Sequence, residues 1–188
     1  MYGLVNKAFE QFVKQRYGDD RWERIRKISQ LDIEFFHNMR PYPDQISYQV
    51  VGAISKELQI PAEEVLRMVG RYWLQHTAAE GYGNLLSLEG TNFQDVLGKL
   101  NLMHTRIKML YSQLQPPSFE VTDVTEEGLL LHYHSKRPGL AWFVVGLVEE
   151  LGARFKTEVA VELVQQRELG ADHDVFQIRY LKESPSHV

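Results

Sequence analysis

The apolar residues before Pro116 recur at intervals of three and four, which is the spacing of an amphipathic helix. We expect Asp19 or Asp20 to cap one helix and Thr91 or Asn92 to cap another, and we expect two more helices to open at Pro43-Asp44 and at Pro61, because these residue types favour helix starts. The N-terminal half is therefore predicted to be helical. Its apolar stripes are Val5, Phe9, Phe12 and Val13; Trp22 and Ile25; Ile46, Val50, Val51 and Ile54; Val65, Met68, Val69, Tyr72 and Trp73; and, on a long last helix, Phe93, Val96, Leu97, Leu100, Met103, His104, Ile107, Leu110 and Tyr111.

After the Pro116-Pro117 pair the apolar period changes to two, which is typical of strands. The predicted fold class is α+β, a helical N-terminal half followed by a four-stranded antiparallel sheet with one helix, in the order ββαββ. We expect one domain over residues 1–182, with a helical subdomain over about residues 1–60, and a flexible tail at residues 183–188. The predicted strands are Ser118 to Thr122, Leu129 to Ser135, Glu158 to Gln165 and Val175 to Leu181, and the predicted helix runs from Ala141 to Phe155.

The composition is that of a single globular domain without a basic face. The 188 residues are 44% hydrophobic and carry a formal net charge of -4, which argues against nucleic-acid binding. The absence of cysteine excludes disulfides, thiolate nucleophiles and cysteine-ligated metal sites. The longest apolar stretch, Leu140 to Val148, is too short to span a membrane, and the first residues lack a signal-peptide pattern. We therefore expect a cytoplasmic domain that does not bind membranes.

His104 is the first position that suggests chemistry, because it interrupts the apolar stripe of the long helix beside Met103 and Ile107. A neutral imidazole in such surroundings needs a partner for each ring nitrogen. A metal bond to one nitrogen, with a hydrogen bond from the other, satisfies this need. A core histidine bonded to a backbone carbonyl satisfies it equally well, and the stripe alone leaves both interpretations open.

The second position is the row formed by Tyr133, Ser135 and Arg137, which project to one face of a predicted strand. A phenol, a hydroxyl and a guanidinium in one row suit a carboxylate or a phosphate, since the planar fork of arginine matches such groups. Leu129 and Leu131 precede the row on the same face and make the surface before it apolar. The alternative is an exposed strand end with solvated polar residues.

The two positions together favour a ligand with a metal centre, a broad apolar body and carboxylate ends, and haem has these properties. At this point the chain resembles the haem nitric oxide/oxygen-binding (H-NOX) family, which includes the haem domain of soluble guanylate cyclase. The resemblance covers roughly residues 1 to 182, and the short tail suits a bacterial stand-alone member. It rests on Met1-Tyr2-Gly3-Leu4-Val5-Asn6, on Pro116-Pro117-Ser118-Phe119 after the His104 helix, on the Tyr-x-Ser-x-Arg pattern at Tyr133, Ser135 and Arg137, and on Asp172-His173.

The resemblance implies a haem b cofactor (iron-protoporphyrin IX) cradled by about residues 61–182. His104 would be the proximal iron ligand, and Pro117 would press on the haem and distort it. The remaining implied roles are propionate binding for Tyr133, Ser135 and Arg137, the distal pocket for Val5, Phe9, Trp73 and Phe143, and further pocket contacts for Met103 and Leu147.

Phe143 departs from the oxygen-binding members of the family, which carry a distal tyrosine at this position. O2 needs a hydrogen-bond donor far more than NO does, and Phe143, Phe9 and Val5 offer none. The resemblance therefore implies a sensor that binds NO, and also CO, in preference to O2. The Trp73 indole N–H is the hydrogen-bond donor among the implied distal residues. The resemblance further implies output through a partner protein, a histidine kinase or a cyclic-di-GMP enzyme, and we do not expect an enzyme because no catalytic machinery is evident.

Three other functions stay in consideration: an O2 sensor on the same fold, an enzyme that uses His104 as general base with Arg137 as anion clamp, and a haem-free interaction module. His132 and His134 share the strand face opposite Tyr133 and resemble half of a zinc site, but the sequence shows no third ligand. Asp172-His173 is interpreted as holding a polar turn through side-chain to backbone bonds.

Overall fold

The computed structural model of the protein describes residues 1–33, 35–77 and 90–181. Those ranges contain six α-helices and four β-strands. A π-helical turn (Trp73–Thr77) continues α4, and a 3-10 turn (Arg167–Leu169) precedes the last strand. The helices are α1 (Gly3–Tyr17), α2 (Asp19–Ser29), α3 (Asp44–Leu58), α4 (Ala62–Tyr72), α5 (Phe93–Leu110) and α6 (Ala141–Arg154), and the strands are β1 (Ser118–Thr122), β2 (Gly128–His134), β3 (Val159–Gln165) and β4 (Asp174–Tyr180).

The helix starts follow the sequence signals with one exception. Pro43 and Pro61 stand immediately before α3 and α4, and the side chain of Asn92 caps α5 by accepting a hydrogen bond from a backbone N–H. The expected cap by Asp19 or Asp20 is wrong, because the residue before α2 is Gly18 and both acids lie inside the first turn. There the two carboxylates favour the positive end of the helix dipole without capping it.

The four strands form one antiparallel sheet in the order β1-β2-β4-β3. The α+β fold class is therefore confirmed. The predicted bounds of β1 match the observed ones, and no predicted bound of the other three strands differs by more than one residue. On β2 the side chains of Leu129, Leu131 and Tyr133 are buried while His134 is exposed, so the predicted alternation of faces is present. The buried face places Tyr133 toward the interior.

The buried apolar residues form two clusters, one among the N-terminal helices and one between the sheet, α5 and α6. Trp142 on α6 contacts both clusters, and α6 also packs on α4 and β3. The α4–α6 crossing is close because it has glycine on each helix: a Cβ at Gly146 would lie 2.0 Å from the Arg67 carbonyl oxygen, and one at Gly70 would lie 2.2 Å from the Phe143 carbonyl oxygen. Helix α6 therefore joins the two halves.

No described helix is both long enough and apolar enough to cross a membrane. The expected flexible tail at residues 183–188 lies outside the described residues. The boundary of the helical subdomain near residue 60 stays a prediction.

Candidate functional site

A largely apolar cavity of about 300 Å³ lies between α5, α6, the start of the chain and one end of the sheet. That volume falls in the range of small-molecule and cofactor pockets. The lining residues are Met1, Tyr2, Leu4, Val5 and Met39; Trp73 and Leu74; Leu97, Leu100, Met103, His104 and Ile107 on α5; Leu114, Gln115, Pro116, Pro117 and Phe119; Tyr133, Ser135 and Arg137; and Leu140, Phe143, Val144, Leu147, Val148 and Leu151.

The cavity brings together the residues that the sequence singled out, with Phe9 as the exception. Val5 lines the cavity, but Phe9 is 1% exposed and packs in the core of the N-terminal helices. The two residues are one turn apart on α1, so they were expected to share a face. The helix starts at the cavity and then runs into the helical core, which carries Phe9 away from the pocket.

His104 enters the cavity wall from α5, and its Nδ1 is buried without a hydrogen-bond partner among the described residues. Burial lowers the pKa of His104 below its ordinary value, and a hydrogen bond from the ring to the Pro117 backbone carbonyl opposes that effect. The ring is therefore neutral near pH 7. A neutral imidazole with an unpaired buried nitrogen has a lone pair available for a metal or a proton donor.

The position of His104 is fixed by contacts between α5 and β1. The Asn101 side chain donates to the Phe119 carbonyl at 2.6 Å and accepts from the Phe119 N–H at 2.8 Å. The Phe119 ring stacks on His104 with centroids 5.8 Å apart and also contacts Tyr133 at 5.3 Å. Sequence reasoning missed Asn101, because a single polar residue on a long helix gives no sign that it bonds to a strand.

The polar end of the cavity is formed by Tyr133, Ser135 and Arg137. Tyr133 is 3% exposed, and burial raises the pKa of its phenol, which therefore stays a hydrogen-bond donor at neutral pH. The Ser135 hydroxyl accepts from the Arg137 backbone N–H at 3.1 Å and sets the turn that follows β2. The predicted row of donors is thus present at one end of an apolar cavity.

The Arg137 guanidinium already holds a carboxylate in this structure. Its Nε donates to both oxygens of Asp44 at 3.0 Å, and its Nη1 donates to the Gln115 carbonyl at 2.8 Å. The N-terminal ammonium of Met1 also bonds to Asp44. Desolvation alone would raise the pKa of Asp44, but the bonds from Met1 and Arg137 outweigh it and hold that pKa below its ordinary value. From the sequence alone, Asp44 is recognisable only as part of a helix start.

The wall contributed by α6 and the π-helical turn is apolar. Trp73 and Phe143 meet edge to face with ring centroids 6.1 Å apart. Val144 and Val148 also line this wall, together with Leu147. The sequence analysis named Leu147 but missed the two valines, although the three-and-four spacing of the α6 stripe contained the signal needed to find them.

Comparison with known proteins identifies the same kind of domain. The family model described as Haem-NO-binding matches residues 2–163. Soluble guanylate cyclase gcy-35 of Caenorhabditis elegans is 32% identical over 199 residues, which cover 99% of this chain and 28% of that protein. Soluble guanylate cyclase gcy-33 of the same organism is 28% identical over 171 residues, 90% of this chain and 18% of that protein. The chain thus spans less than a third of the length of these curated relatives.

Solved structures share the fold at low sequence identity. The H-NOX protein from S. oneidensis in the Fe(II)NO ligation state superposes with a TM-score of 0.85 at 17% identity, covering 97% of this chain and all of that one. The Fe(II) unliganded H-NOX protein from K. algicida gives a TM-score of 0.82 at 19% identity, with both chains fully covered. At these identities the likeness establishes the fold alone.

Proposed function

The chain belongs to the Haem-NO-binding (H-NOX) family of haem-binding gas sensor domains, and on that premise we propose that it senses NO, and also CO, and discriminates against O2. In this proposal the chain passes a signal to a partner protein and catalyses no reaction itself. Ferrous haem b, when bound, supplies an iron that takes up the diatomic gas. The rest of the task falls to side chains of this chain.

The observation that carries the proposal is the unpaired Nδ1 of His104, which lies in an apolar cavity with the Arg137 guanidinium at one end. A buried polar atom without a partner is rare and costly, so it indicates a ligand that supplies the missing bond. An iron porphyrin fits each part, because it offers a metal for His104, an apolar ring for the cavity walls and carboxylates for Arg137. The residues present therefore fit haem.

The residues that would hold haem divide by chemistry. His104 would ligate the iron, and Tyr133, Ser135 and Arg137 would donate hydrogen bonds to the propionates. The carboxylate of Asp44 supports this role, since the Arg137 guanidinium donates hydrogen bonds to a carboxylate at that end of the cavity. Pro117 lines the cavity next to His104, a position from which it would press on the porphyrin.

The preference for NO over O2 rests on the polarity of the wall opposite α5. The polarity and the hydrogen-bond donors of the distal pocket decide which gas a haem protein binds. Phe143, Val5 and Leu147 line the cavity and have no donor in their side chains. The Trp73 indole N–H is a donor that lines the same cavity, and this single observation favours O2 sensing as the second candidate.

Two connections would carry a change at the cavity to the surface. His104 is fixed to the sheet through Asn101 and β1, and Arg137 is joined to α3 through Asp44. A movement of His104 would therefore be passed to the sheet, and a movement of Arg137 would be passed to α3 in the helical half. A ligand changes such an equilibrium only through different affinities for the two arrangements. We propose that a histidine kinase or a cyclic-di-GMP enzyme reads the altered surface.

The proposal is tested by absorption spectra of the dithionite-reduced protein under argon, after addition of NO or of CO, and separately after exposure to air. We expect a haem spectrum that changes with NO and CO but stays the same when the reduced protein first meets O2. His104→Gly should lose haem, or keep it only with added imidazole, and His37→Gln is the matched control on an exposed loop. A stable O2 spectrum would transfer the function to the second candidate, and a colourless protein after reconstitution would refute haem sensing.

A further inference from the structure

Three histidines and one aspartate gather on the open face of the sheet, where β2 ends and β4 begins. The β2–β4 register pairs Tyr133 with Asp174, which places His134 directly beside His173. The two rings stack with centroids 4.1 Å apart. One ligand atom from each of His134, Asp172 and His173 lies within 4.8 Å of the other two. The cluster is outside the haem cavity and takes no part in the proposed gas sensing.

Hydrogen bonds orient the cluster from one side. The Asp172 carboxylate lies 2.7 Å from His173 Nδ1, and His173 Nε2 lies 2.8 Å from His132 Nδ1. His132 Nε2 in turn lies 2.9 Å from the Thr122 hydroxyl, which donates to the Asp123 carboxylate at 3.1 Å.

The direction of these bonds follows from the Thr122 hydroxyl. Since its one proton goes to Asp123, it accepts from the Nε2–H of His132, and His132 Nδ1 must then accept from the Nε2–H of His173. His173 therefore carries its proton on Nε2, and its Nδ1 is an acceptor that faces the Asp172 carboxylate, a second acceptor, at 2.7 Å. A histidine whose other nitrogen donates to a second group is the usual arrangement of a metal ligand.

We propose that His134, Asp172 and His173 bind a divalent transition-metal ion, with zinc as the natural occupant and His132 as the outer residue that orients His173. Two imidazoles and one carboxylate form a borderline nitrogen and oxygen donor set that suits Zn²⁺, with a water as fourth ligand. The pair His132 and His134 lacked a third ligand in the sequence. The fold brings Asp172 and His173 of the loop before β4 to His134, and His132 becomes the residue that orients His173.

A metal in this position joins the end of β2 to the loop that precedes β4. Ser135 follows His134 directly, and its carbonyl already accepts a hydrogen bond from Arg167 of that same loop at 2.6 Å. Asp172 and His173 belong to the polar turn that the sequence predicted, and the structure places the Asp172 carboxylate 2.7 Å from His173 Nδ1.

The test is calorimetric titration of tag-free, haem-loaded protein with ZnCl₂, comparing the unmodified chain with single variants. We expect one zinc per chain. His132→Gln should weaken binding by about 10- to 100-fold, the usual effect of losing an outer-shell partner. His134→Gln and His173→Gln should weaken it at least as much, and His37→Gln, which removes an exposed histidine elsewhere, should bind as the unmodified chain does.

Haem content and circular dichroism of every variant establish that the fold is intact. Should His173→Gln misfold, the exposed His134 provides the decisive variant. X-ray absorption at the zinc edge should report two imidazoles. The proposal is overturned if zinc binding is not saturable, or if His134→Gln and His37→Gln bind zinc equally. Neither outcome bears on the haem function, because the titration reads zinc and the Soret band reads haem.

Discussion

Replacing Gly146 with alanine tests how tightly the α4–α6 crossing sets the shape of the cavity. Gly146 is buried, and a Cβ there would lie 2.0 Å from the Arg67 carbonyl, whereas real Cβ atoms stay beyond 3.0 Å. The helices must therefore separate by about 1 Å, or the backbone must distort. Overpacking of this kind costs about 1–3 kcal/mol, and for a chain of this size the melting temperature should fall by about 2–12 °C.

Gly52→Ala is the matched control, because it makes the same chemical change in a helix where nothing lies within 4 Å of the new methyl group. Glycine within a helix is less stable than alanine by about 0.5–1 kcal/mol, so this variant should melt about 1–4 °C higher. Both melts need the same haem concentration, because a bound cofactor raises the melting temperature by mass action. If Gly146→Ala also melts at or above the unmodified protein, the close crossing and the reasoning drawn from it are wrong.

The other predictions concern Arg137 with its partner Asp44, and Phe143 in the apolar wall of the cavity. Arg137→Ala should raise the haem dissociation rate about 10- to 100-fold, because a charged hydrogen bond contributes about 1.5–3 kcal/mol. The rate is measured by transfer of haem to apomyoglobin. The control Arg179→Ala, on the outer face of the sheet, should leave the rate unchanged. The pKa of Asp44 is lowered in the folded state, so its stabilisation is complete above about pH 3.8 and is lost as the pH falls through the folded pKa. Below pH 4 the melting temperature should therefore fall less steeply in Asp44→Asn than in the unmodified chain, and a parallel fall would contradict the assignment. Phe143→Tyr should raise O2 affinity in an equilibrium titration while Phe143→Leu does not, and equal O2 affinity in both variants would exclude control by a donor at this position.

The parts of the site that repeat along the chain were predictable. The apolar stripe of α5 places His104 on the cavity side, and the two-residue period of β2 places Tyr133 on the buried face, as the sequence predicted. Both predictions use neighbours a few positions apart, where helix and strand geometry fix which side chains share a face. Phe9 was not predictable in this way. The periodicity places Val5 and Phe9 on the same face of α1, but it does not tell which part of that face contacts the cavity and which part contacts the other helices.

The parts that join distant segments were not predictable. Asp44 and Arg137 are 93 positions apart, and His132 and His173 are 41 apart. From the sequence, Asp44 indicates only a helix start, and the pair His132 and His134 shows no third metal ligand. The tertiary fold brings the distant partners to both. The partner depends on sheet order and helix packing, which no local spacing encodes.

If the proposed function holds, gas preference and stability should be coupled at the α4–α6 crossing. Trp73 continues α4, Phe143 lies on α6, and Gly70 lets the two backbones meet at the Phe143 carbonyl. A group that separates the helices would therefore enlarge the cavity and also cost packing energy. Phe143→Tyr changes the polarity of the wall while the backbone spacing stays, whereas Gly146→Ala changes the spacing while the polarity stays. If only the tyrosine alters O2 affinity, polarity selects the gas; if the alanine alters it equally, the width of the pocket does.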